Sequence, residues 1–230
     1  MLTEKSTNSI SNDSRTDLKI ADVKCHPVRL PYKGEIKFRS VSESVGQYAI
    51  LRIILDNGTE GLAEAVCRPE QQGEDAKSLE YQIETFFKQW LIGLDPLAHT
   101  TALSAVGRIK GCRTAKALID VALWDLKGKV LDQPVWRLLG GDTPKPVPLT
   151  WLVHGHNRED QVREAITINE TRGYCSMKLK TWKRSEEDVR LVAEVREALG
   201  GDAFIYIDGN GSYSETEART ILTKVCLLYT

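Results

Sequence analysis

Hydrophobic residues near the start of the chain follow a strand-like pattern. Residues 48–55 read Tyr-Ala-Ile-Leu-Arg-Ile-Ile-Leu, a dense β-branched run that is typical of a buried strand. The sparser apolar positions of residues 19–29 also favour a strand. Asn57-Gly58 follows the dense run, and this pair tolerates the positive φ angles of a tight hairpin, so residues 60–67 are expected to return antiparallel. The pattern predicts a three-stranded meander.

Two longer stretches have the period of helices. Residues 76–90 place apolar side chains close to every 3.6 positions, which predicts an amphipathic helix. Residues 113–130 are apolar nearly all round, as expected for a buried helix. Glycines at 140 and 141 and prolines at 144, 146 and 148 follow, and these residues interrupt regular structure. We therefore expect one domain over residues 19–143 and a second over residues 144–230.

Strands and helices alternate in the second domain. Strands are predicted at residues 147–153, 175–181 and 204–208, and helices at residues 158–171, 185–199 and 214–225. The strand ends at Val153, Lys180 and Asp208 are 27 and 28 residues apart, a constant period that indicates β-α units with parallel strands. Such a repeat fits either an open doubly wound sheet or a closed barrel, and the period does not choose between them.

Composition and charge narrow the function classes. Hydrophobic residues at 41% and charged residues at 27% are ordinary for a globular protein. A formal net charge of −1, without a block of like charge, argues against nucleic acid or a membrane as a partner. Five scattered cysteines, no membrane-length apolar run and no secretory signal predict a cytoplasmic protein. Residues 1–18 are rich in Ser, Thr and Asn, so we expect a disordered tail.

Two lysines on one predicted strand are candidates for chemistry. Side chains alternate across a strand, so Lys178 and Lys180 share one face while Met177 and Leu179 share the other. If the apolar face meets the helices, the lysines point into the layer where a barrel places its interior and, at its C-terminal mouth, its active site. The competing interpretation is a solvent-facing edge strand with lysines of no special role.

The next strand ends in a second polar pair. Asp208 and Asn210 again share a face, and a carboxylate at this position is a plausible ligand for a hard cation. By itself, Asp-Gly-Asn-Gly could be a simple turn. Because the lysine pair and the Asp-x-Asn pair occupy equivalent points of successive repeats, they are expected to meet at one end of the sheet. That joint arrangement favours a functional site.

These motifs together resemble the mandelate racemase/muconate-lactonising enzyme family of the enolase superfamily. Lys-x-Lys followed one strand later by Asp-x-Asn is similar to the family pattern, and residues 117–141, ending in Leu-Leu-Gly-Gly, are similar to the stretch between its two domains. The resemblance covers about residues 20–225. It implies an α+β capping domain, built from a three-stranded antiparallel meander plus helices, followed by a partial (β/α) TIM-type barrel.

The resemblance also implies roles for individual residues. Lys180 would be the general base, Lys178 its electrostatic neighbour and a substrate-binding residue, Asp208 a ligand of Mg²⁺, and Asn210 a substrate-binding residue. A lysine acting as a base at neutral pH needs a pKa well below ~10.4, and a second ammonium roughly 7 Å away should help to lower it. The implied substrate is a small-molecule carboxylate, and the full-length protein is expected to be a homo-oligomer.

The implied reaction is Mg²⁺-dependent removal of the α-proton of that carboxylate, giving an enediolate. Racemisation or epimerisation, cycloisomerisation and dehydration can each follow from this step. The family also uses two further acidic metal ligands and an opposing acid/base on later strands, which this sequence does not contain. The alternative is therefore a truncated, inactive chain with at most a binding or assembly role. A Rossmann-type binder is disfavoured, because no G-x-G-x-x-G follows a predicted strand.

Three other features are weaker candidates. His154 and His156 form an H-x-H that could bind a transition metal, but the expectation is a role in a loop or in supporting a site without contacting its ligand. A group of charged residues in the long helix is expected to stabilise that helix rather than to bind a ligand. Its members are Asp120, Asp125 and Lys129. Residues 32–46 are expected to form the loop that covers the active site in the family.

Overall fold

A computed structural model describes residues 17–38, 41–181 and 185–226. The chain divides into two compact units, Met1–Pro144 and Lys145–Thr230, one residue from the boundary expected between residues 143 and 144. Most of the expected N-terminal tail lies outside the described residues. Leu18, at the end of that segment, packs against the core of the first unit.

The first unit contains the meander that the sequence predicts. Its antiparallel strands are β1 (Ile20–Phe38), β2 (Val41–Leu55) and β3 (Glu60–Val66), arranged in the order β1-β2-β3. The β2–β3 turn forms at the expected Asn-Gly pair, where Gly58 has φ 83° and donates its N–H to Leu55 O at 3.0 Å.

The prediction of a loop at residues 32–46 is wrong. Most of this segment extends the β1–β2 hairpin, with Pro31 opposite Val45 and Ile36 opposite Glu43, and the register shifts between the two pairs. Strand pairing uses backbone groups, so it does not require the apolar alternation on which the sequence prediction relied. Leu30 and Ile36 are 52% and 38% exposed, which explains why no buried face marks this part of the hairpin. A role in covering an active site stays a prediction.

Helices pack against this sheet. They are α1 (Pro69–Gln72), α2 (Ala76–Gln82), α3 (Lys88–Leu91), α4 (His99–Val106), α5 (Arg113–Leu131) and α6 (Val135–Leu138). A π-helical turn, Ile83–Phe87, joins α2 to α3, so the helix predicted at residues 76–90 is continuous. The helix predicted at residues 113–130 is α5, whereas α1, α4 and α6 were not predicted. Among the described residues, no helix is both long enough and apolar enough to cross a bilayer.

Helix α5 lies close against β3. A Cβ atom on Gly61 would be 2.3 Å from Ala122 O and 2.5 Å from Leu126 Cγ, so only glycine permits this approach. Asp125 accepts a hydrogen bond from the Leu62 N–H at 2.8 Å, and Lys129 Nζ donates to Glu60 O at 2.7 Å. Asp125 and Lys129 thus form hydrogen bonds with backbone groups of β3. They also form an ion pair within the helix, with Lys129 Nζ 2.7 Å from Asp125 Oδ2.

The second unit contains the predicted parallel sheet. Its strands are β4 (Trp151–Leu152), β5 (Ser176–Lys180) and β6 (Phe204–Asp208), in that spatial order, and its helices are α7 (Arg158–Arg172), α8 (Ser185–Leu199) and α9 (Glu215–Cys226). Strand β4 is shorter than the predicted 147–153. Prolines at 144, 146 and 148 have no N–H to donate, and Val147 and Leu149 are 80% and 69% exposed.

Each unit has its own hydrophobic core. In the first unit, buried side chains of the sheet, including Leu51 and Ile53, meet those of the helices, including Leu79 and Phe87. In the second, one face of the sheet packs against α7, α8 and α9. The residues of this second core include Val153, Ala165, Met177, Leu179, Leu191, Val192, Val195, Ile205, Ile221 and Val225.

Candidate active site

The alternation along β5 separates its apolar and basic side chains as the sequence predicts. Met177 and Leu179 are fully buried in the core of the second unit. Lys178 and Lys180 lie on the other face, with side chains 30% and 22% exposed. The two lysine side chains are therefore only partly removed from water.

Strand β6 brings a carboxylate to these lysines. The parallel register places Asp208 beside Lys180 and Tyr206 beside Lys178. One oxygen, Asp208 Oδ2, is 2.8 Å from Lys178 Nζ and 2.9 Å from Lys180 Nζ. The expected convergence of the two motifs at the carboxyl ends of adjacent strands is thus present in the structure.

This carboxylate changes the electrostatics that the lysine pair alone would have. The hydrogen bond to Asp208 raises the pKa of Lys178 above its ordinary value, against the opposing effect of partial burial. Lys178 therefore carries its positive charge next to Asp208, and the lowering of the pKa of the proposed base by a neighbouring ammonium stays a prediction. Burial disfavours the charged form of Asp208, but hydrogen bonds from Lys178 and Lys180 outweigh it and hold the pKa of Asp208 well below its usual range.

Asn210 joins the same cluster through an unusual backbone conformation. It has φ 47°, in the left-handed region that asparagine tolerates better than most residues. Its N–H donates to Asp208 Oδ1 at 2.9 Å. Both polar atoms of its side-chain amide have partners in one orientation, in which the oxygen accepts from Lys180 Nζ at 3.0 Å and the nitrogen donates to Asp208 Oδ1 at 3.0 Å.

Three residues that the sequence analysis missed support this cluster. Gln161 on α7 is 1% exposed and donates from Nε2 to the Lys180 carbonyl oxygen at 3.2 Å. Tyr213 follows β6 and donates its hydroxyl proton to Asp188 on α8 at 2.6 Å. A signal for Gln161 exists in the sequence, because its spacing from the buried Ala165 and Ile168 places it on the core face of the helix.

The two histidines do not join the cluster. The His154 side chain is 68% exposed, and its backbone N–H, like that of Gly155, donates to Glu164 on α7. These contacts fit the expected loop role of the H-x-H sequence. Across residues 17–38, 41–181 and 185–226, no group of three or more His, Cys, Asp or Glu side chains is arranged to hold a metal ion.

Asp120, the remaining charged candidate on α5, has a different partner. Its carboxylate lies 2.7 Å from Nε2 of His99, a residue of α4. The contact joins two helices of the first unit rather than supporting a ligand site.

Comparison with known families gives two matches along the chain. Residues 18–140 match the family described as "Mandelate racemase / muconate lactonizing enzyme, N-terminal domain". Residues 160–227 match "Enolase C-terminal domain-like".

Individual relatives agree with these matches. The chain is 30% identical over 200 residues to an N-succinyl-L-Arg/Lys racemase of Bacillus cereus, which covers 86% of this chain and 54% of the relative. It is 32% identical over 221 residues to a D-galactarolactone cycloisomerase of Agrobacterium fabrum, covering 89% of this chain and 55% of the relative. The chain spans about half the length of the curated relatives that it matches.

Solved structures show the same relationship. The N-succinyl Arg/Lys racemase of Bacillus cereus superposes with a TM-score of 0.82 at 30% identity, over 91% of this chain and 57% of that one. A muconate lactonizing enzyme of Pseudomonas fluorescens, complexed with muconolactone, gives a TM-score of 0.79 at 27% identity, over 89% of this chain and 56% of that one. The chain belongs to the mandelate racemase/muconate-lactonising enzyme family of the enolase superfamily.

Proposed function

We propose that this chain supplies the base and one metal-binding carboxylate for Mg²⁺-dependent removal of the α-proton of a carboxylate substrate. One observation carries the proposal: Lys178, Lys180 and Asp208 meet within 2.9 Å at the carboxyl ends of adjacent parallel strands. This is the edge at which barrels of this type place their active sites. Relatives that are racemases and cycloisomerases support the general reaction type.

Each of the four polar residues has a role in this proposal. Neutral Lys180 would accept the α-proton at Nζ, and the electron pair left behind would spread onto the substrate carboxylate as an enediolate. Lys178 would place positive charge near those oxygens, and the Asn210 amide would donate a hydrogen bond to them. Asp208 would keep the two lysine side chains oriented until substrate arrives.

The donor set fits Mg²⁺ only in part. The Asp208 carboxylate is the type of oxygen ligand that Mg²⁺ prefers, but the ion takes about six oxygen ligands in near-octahedral geometry. Both oxygens of Asp208 already accept hydrogen bonds within the cluster. The other ligands would have to be water or residues outside the described ranges. When bound, Mg²⁺ supplies positive charge that stabilises negative charge on the substrate carboxylate oxygens.

The names of the relatives suggest which substrates to try first. They include an N-succinyl-L-Arg/Lys racemase, an L-Ala-D/L-Glu epimerase and several muconate cycloisomerases. We propose N-acylated amino acids and dipeptides as the first panel, because an acidic α-proton beside a carboxylate is the feature that the proposed base requires. Muconates form the second panel.

The experiment follows deuterium incorporation at the α-carbon by NMR in D₂O with Mg²⁺. It is run on the chain itself and on a chimera completed with the later barrel strands of the Bacillus cereus racemase. In the chimera, Lys180→Ala should slow exchange by roughly 10²–10⁴-fold. Lys180→Arg should be as slow, because a guanidinium stays protonated at neutral pH and cannot accept the proton. Lys77→Ala, at an exposed position on α2, is the matched control. Undiminished exchange in Lys180→Ala would overturn the assignment.

The chain alone provides the test of the second candidate, an inactive family member. Among the described residues, no group of three or more His, Cys, Asp or Glu side chains could hold a metal ion, and this observation motivates the second candidate for the isolated chain. We expect no Mg²⁺-dependent exchange by the chain and measurable exchange by the chimera. Exchange by the isolated chain would refute the inactive alternative.

A further inference from the structure

A tyrosine lies directly against the turn that presents Asp208 and Asn210. A Cβ atom on Gly209 would be only 2.5 Å from Tyr213 Cε2 and 2.7 Å from Tyr213 Cδ2, so the ring contacts the backbone between the two functional residues. The missing side chain of Gly209 makes this contact possible. The turn therefore cannot move toward the ring without a clash.

The ring is anchored at its other end. The Tyr213 hydroxyl donates to Asp188 Oδ2 at 2.6 Å, and Asp188 is only 4% exposed in the first turn of α8. Hydrogen bonds to a buried carboxylate are short and strong, because the acceptor carries a charge that water does not reach. Tyr213 thus links the β6 turn to a helix that packs against the same sheet.

Support of this kind matters for the turn, because its backbone adopts an uncommon conformation. Asn210 has φ 47°, in the left-handed region, which asparagine adopts at a smaller cost than most residues but which still benefits from contacts that hold it. Ser212 donates its N–H to Gly209 O at 2.8 Å, and the Ser214 N–H donates to Glu217 Oε2 at 2.7 Å at the start of α9. Tyr213 lies between these two fixed points.

We propose that Tyr213 and Asp188 are positioning residues, which keep Asp208 and Asn210 aligned with Lys180. Tyr213 contacts the turn at Gly209 and acts on the lysine only through Asp208 and Asn210. The catalytic value of this alignment rests on the proposed function, but the alignment itself does not. The positioning role of Tyr213 and Asp188 can therefore be tested separately from the proposed catalytic role of Lys180.

The test measures amide hydrogen exchange by NMR on the chain alone, without Mg²⁺ or substrate. The reporters are the backbone N–H groups of Asn210 and Ser212, which donate within the turn. The control amides are Val153 and Phe204, which donate across the sheet to Lys178 O and Cys175 O. In Tyr213→Phe, the reporters should exchange roughly ten to a hundred times faster than in the wild type, while the control amides change little. The Asn210 side-chain amide resonances should shift in the same variant.

A rescue series separates positioning from general stabilisation. Asp188→Asn keeps an oxygen that can accept from Tyr213 and should retain most of the protection, whereas Asp188→Ala should lose it as Tyr213→Phe does. The double variant Tyr213→Phe/Asp188→Ala should be no faster at the reporters than the faster single variant, because both remove the same hydrogen bond. Unchanged reporter rates in Tyr213→Phe, or an equal rise at reporters and controls, would overturn the proposal.

Discussion

Cys25 and Asp208 are both partly or fully removed from water, but their surroundings shift the two pKa values in opposite directions. Burial raises the pKa of the Cys25 thiol to about 12, and the nearby Glu80 and Glu84 carboxylates add to the shift. At Asp208, burial acts the same way but is outweighed by hydrogen bonds from two lysines and a backbone N–H. Neighbouring charges thus decide whether a buried acid ionises.

The raised pKa of Cys25 predicts that the folded protein loses stability at alkaline pH. An unfolded thiol titrates near pH ~8.5, whereas folded Cys25 stays protonated to about pH 12. The contribution of the Cys25 thiol to the free energy of unfolding is therefore complete below the pKa of the unfolded state. It falls by roughly 1.4 kcal/mol per pH unit as the pH rises toward the pKa of the folded state. Urea unfolding of the first unit at pH 8 and pH 10 should show a smaller pH-dependent loss in Cys25→Ala than in the wild type.

The exposed Cys175 provides the control for this comparison. Cys175→Ser should lose stability between pH 8 and pH 10 as the wild type does, because this substitution leaves the buried Cys25 thiol in place. Equal losses in Cys25→Ala and the wild type would contradict the prediction.

At the scale of secondary-structure elements, the contact between α5 and β3 depends on a single missing side chain. Gly61 sits beneath Ala122 and Leu126, and the charged pair Asp125 and Lys129 then reaches the backbone of β3. The pattern of apolar residues predicts α5 from the sequence, but Gly61 determines how closely α5 approaches the sheet. The close approach in turn allows the two charged side chains to reach the strand.

Gly61→Ala should therefore destabilise the first unit by about 1–3 kcal/mol, because the new methyl group would force α5 away from β3. Thermal or urea unfolding measures the change. Gly34→Ala is the matched control, since a Cβ atom there has nothing within 4 Å, and it should change stability by less than about 0.5 kcal/mol. A Gly61→Ala variant as stable as Gly34→Ala would show that the helix can shift at little cost.

At the scale of the whole molecule, the chain consists of two compact units joined by an exposed segment. Residues 139–150 are all exposed, and the boundary between the units falls at Pro144 within this segment. Each unit has a hydrophobic core of its own. This arrangement is what independently stable domains require.

Limited proteolysis should therefore cut this segment first. Proteinase K at low concentration is expected to release two fragments whose ends, identified by mass spectrometry, lie within residues 139–150, because exposed irregular backbone is cleaved faster than helices or strands. Helix α5 should resist cleavage in the same digest. Initial cuts inside α5 or β5 would contradict the independence of the two units.

The sequence by itself determined the features that depend on local periodicity. The meander, the long helix α5 and the parallel β-α repeat follow from apolar spacing and turn residues, and so does the common face of Lys178 and Lys180. The hairpin at residues 32–46 did not follow, because its pairing uses backbone groups and leaves side chains such as Leu30 exposed.

The tertiary structure decided which residues meet. Asp208 lies 28 positions from Lys180 in the sequence, and only the strand register brings its Oδ2 to both lysines and raises the pKa of Lys178. The hydrogen bond from Tyr213 to Asp188 also joins separate elements, so no local sequence pattern predicts it. Local spacing fixes the face on which a side chain lies, whereas its partners and its charge state depend on contacts between distant segments of the chain.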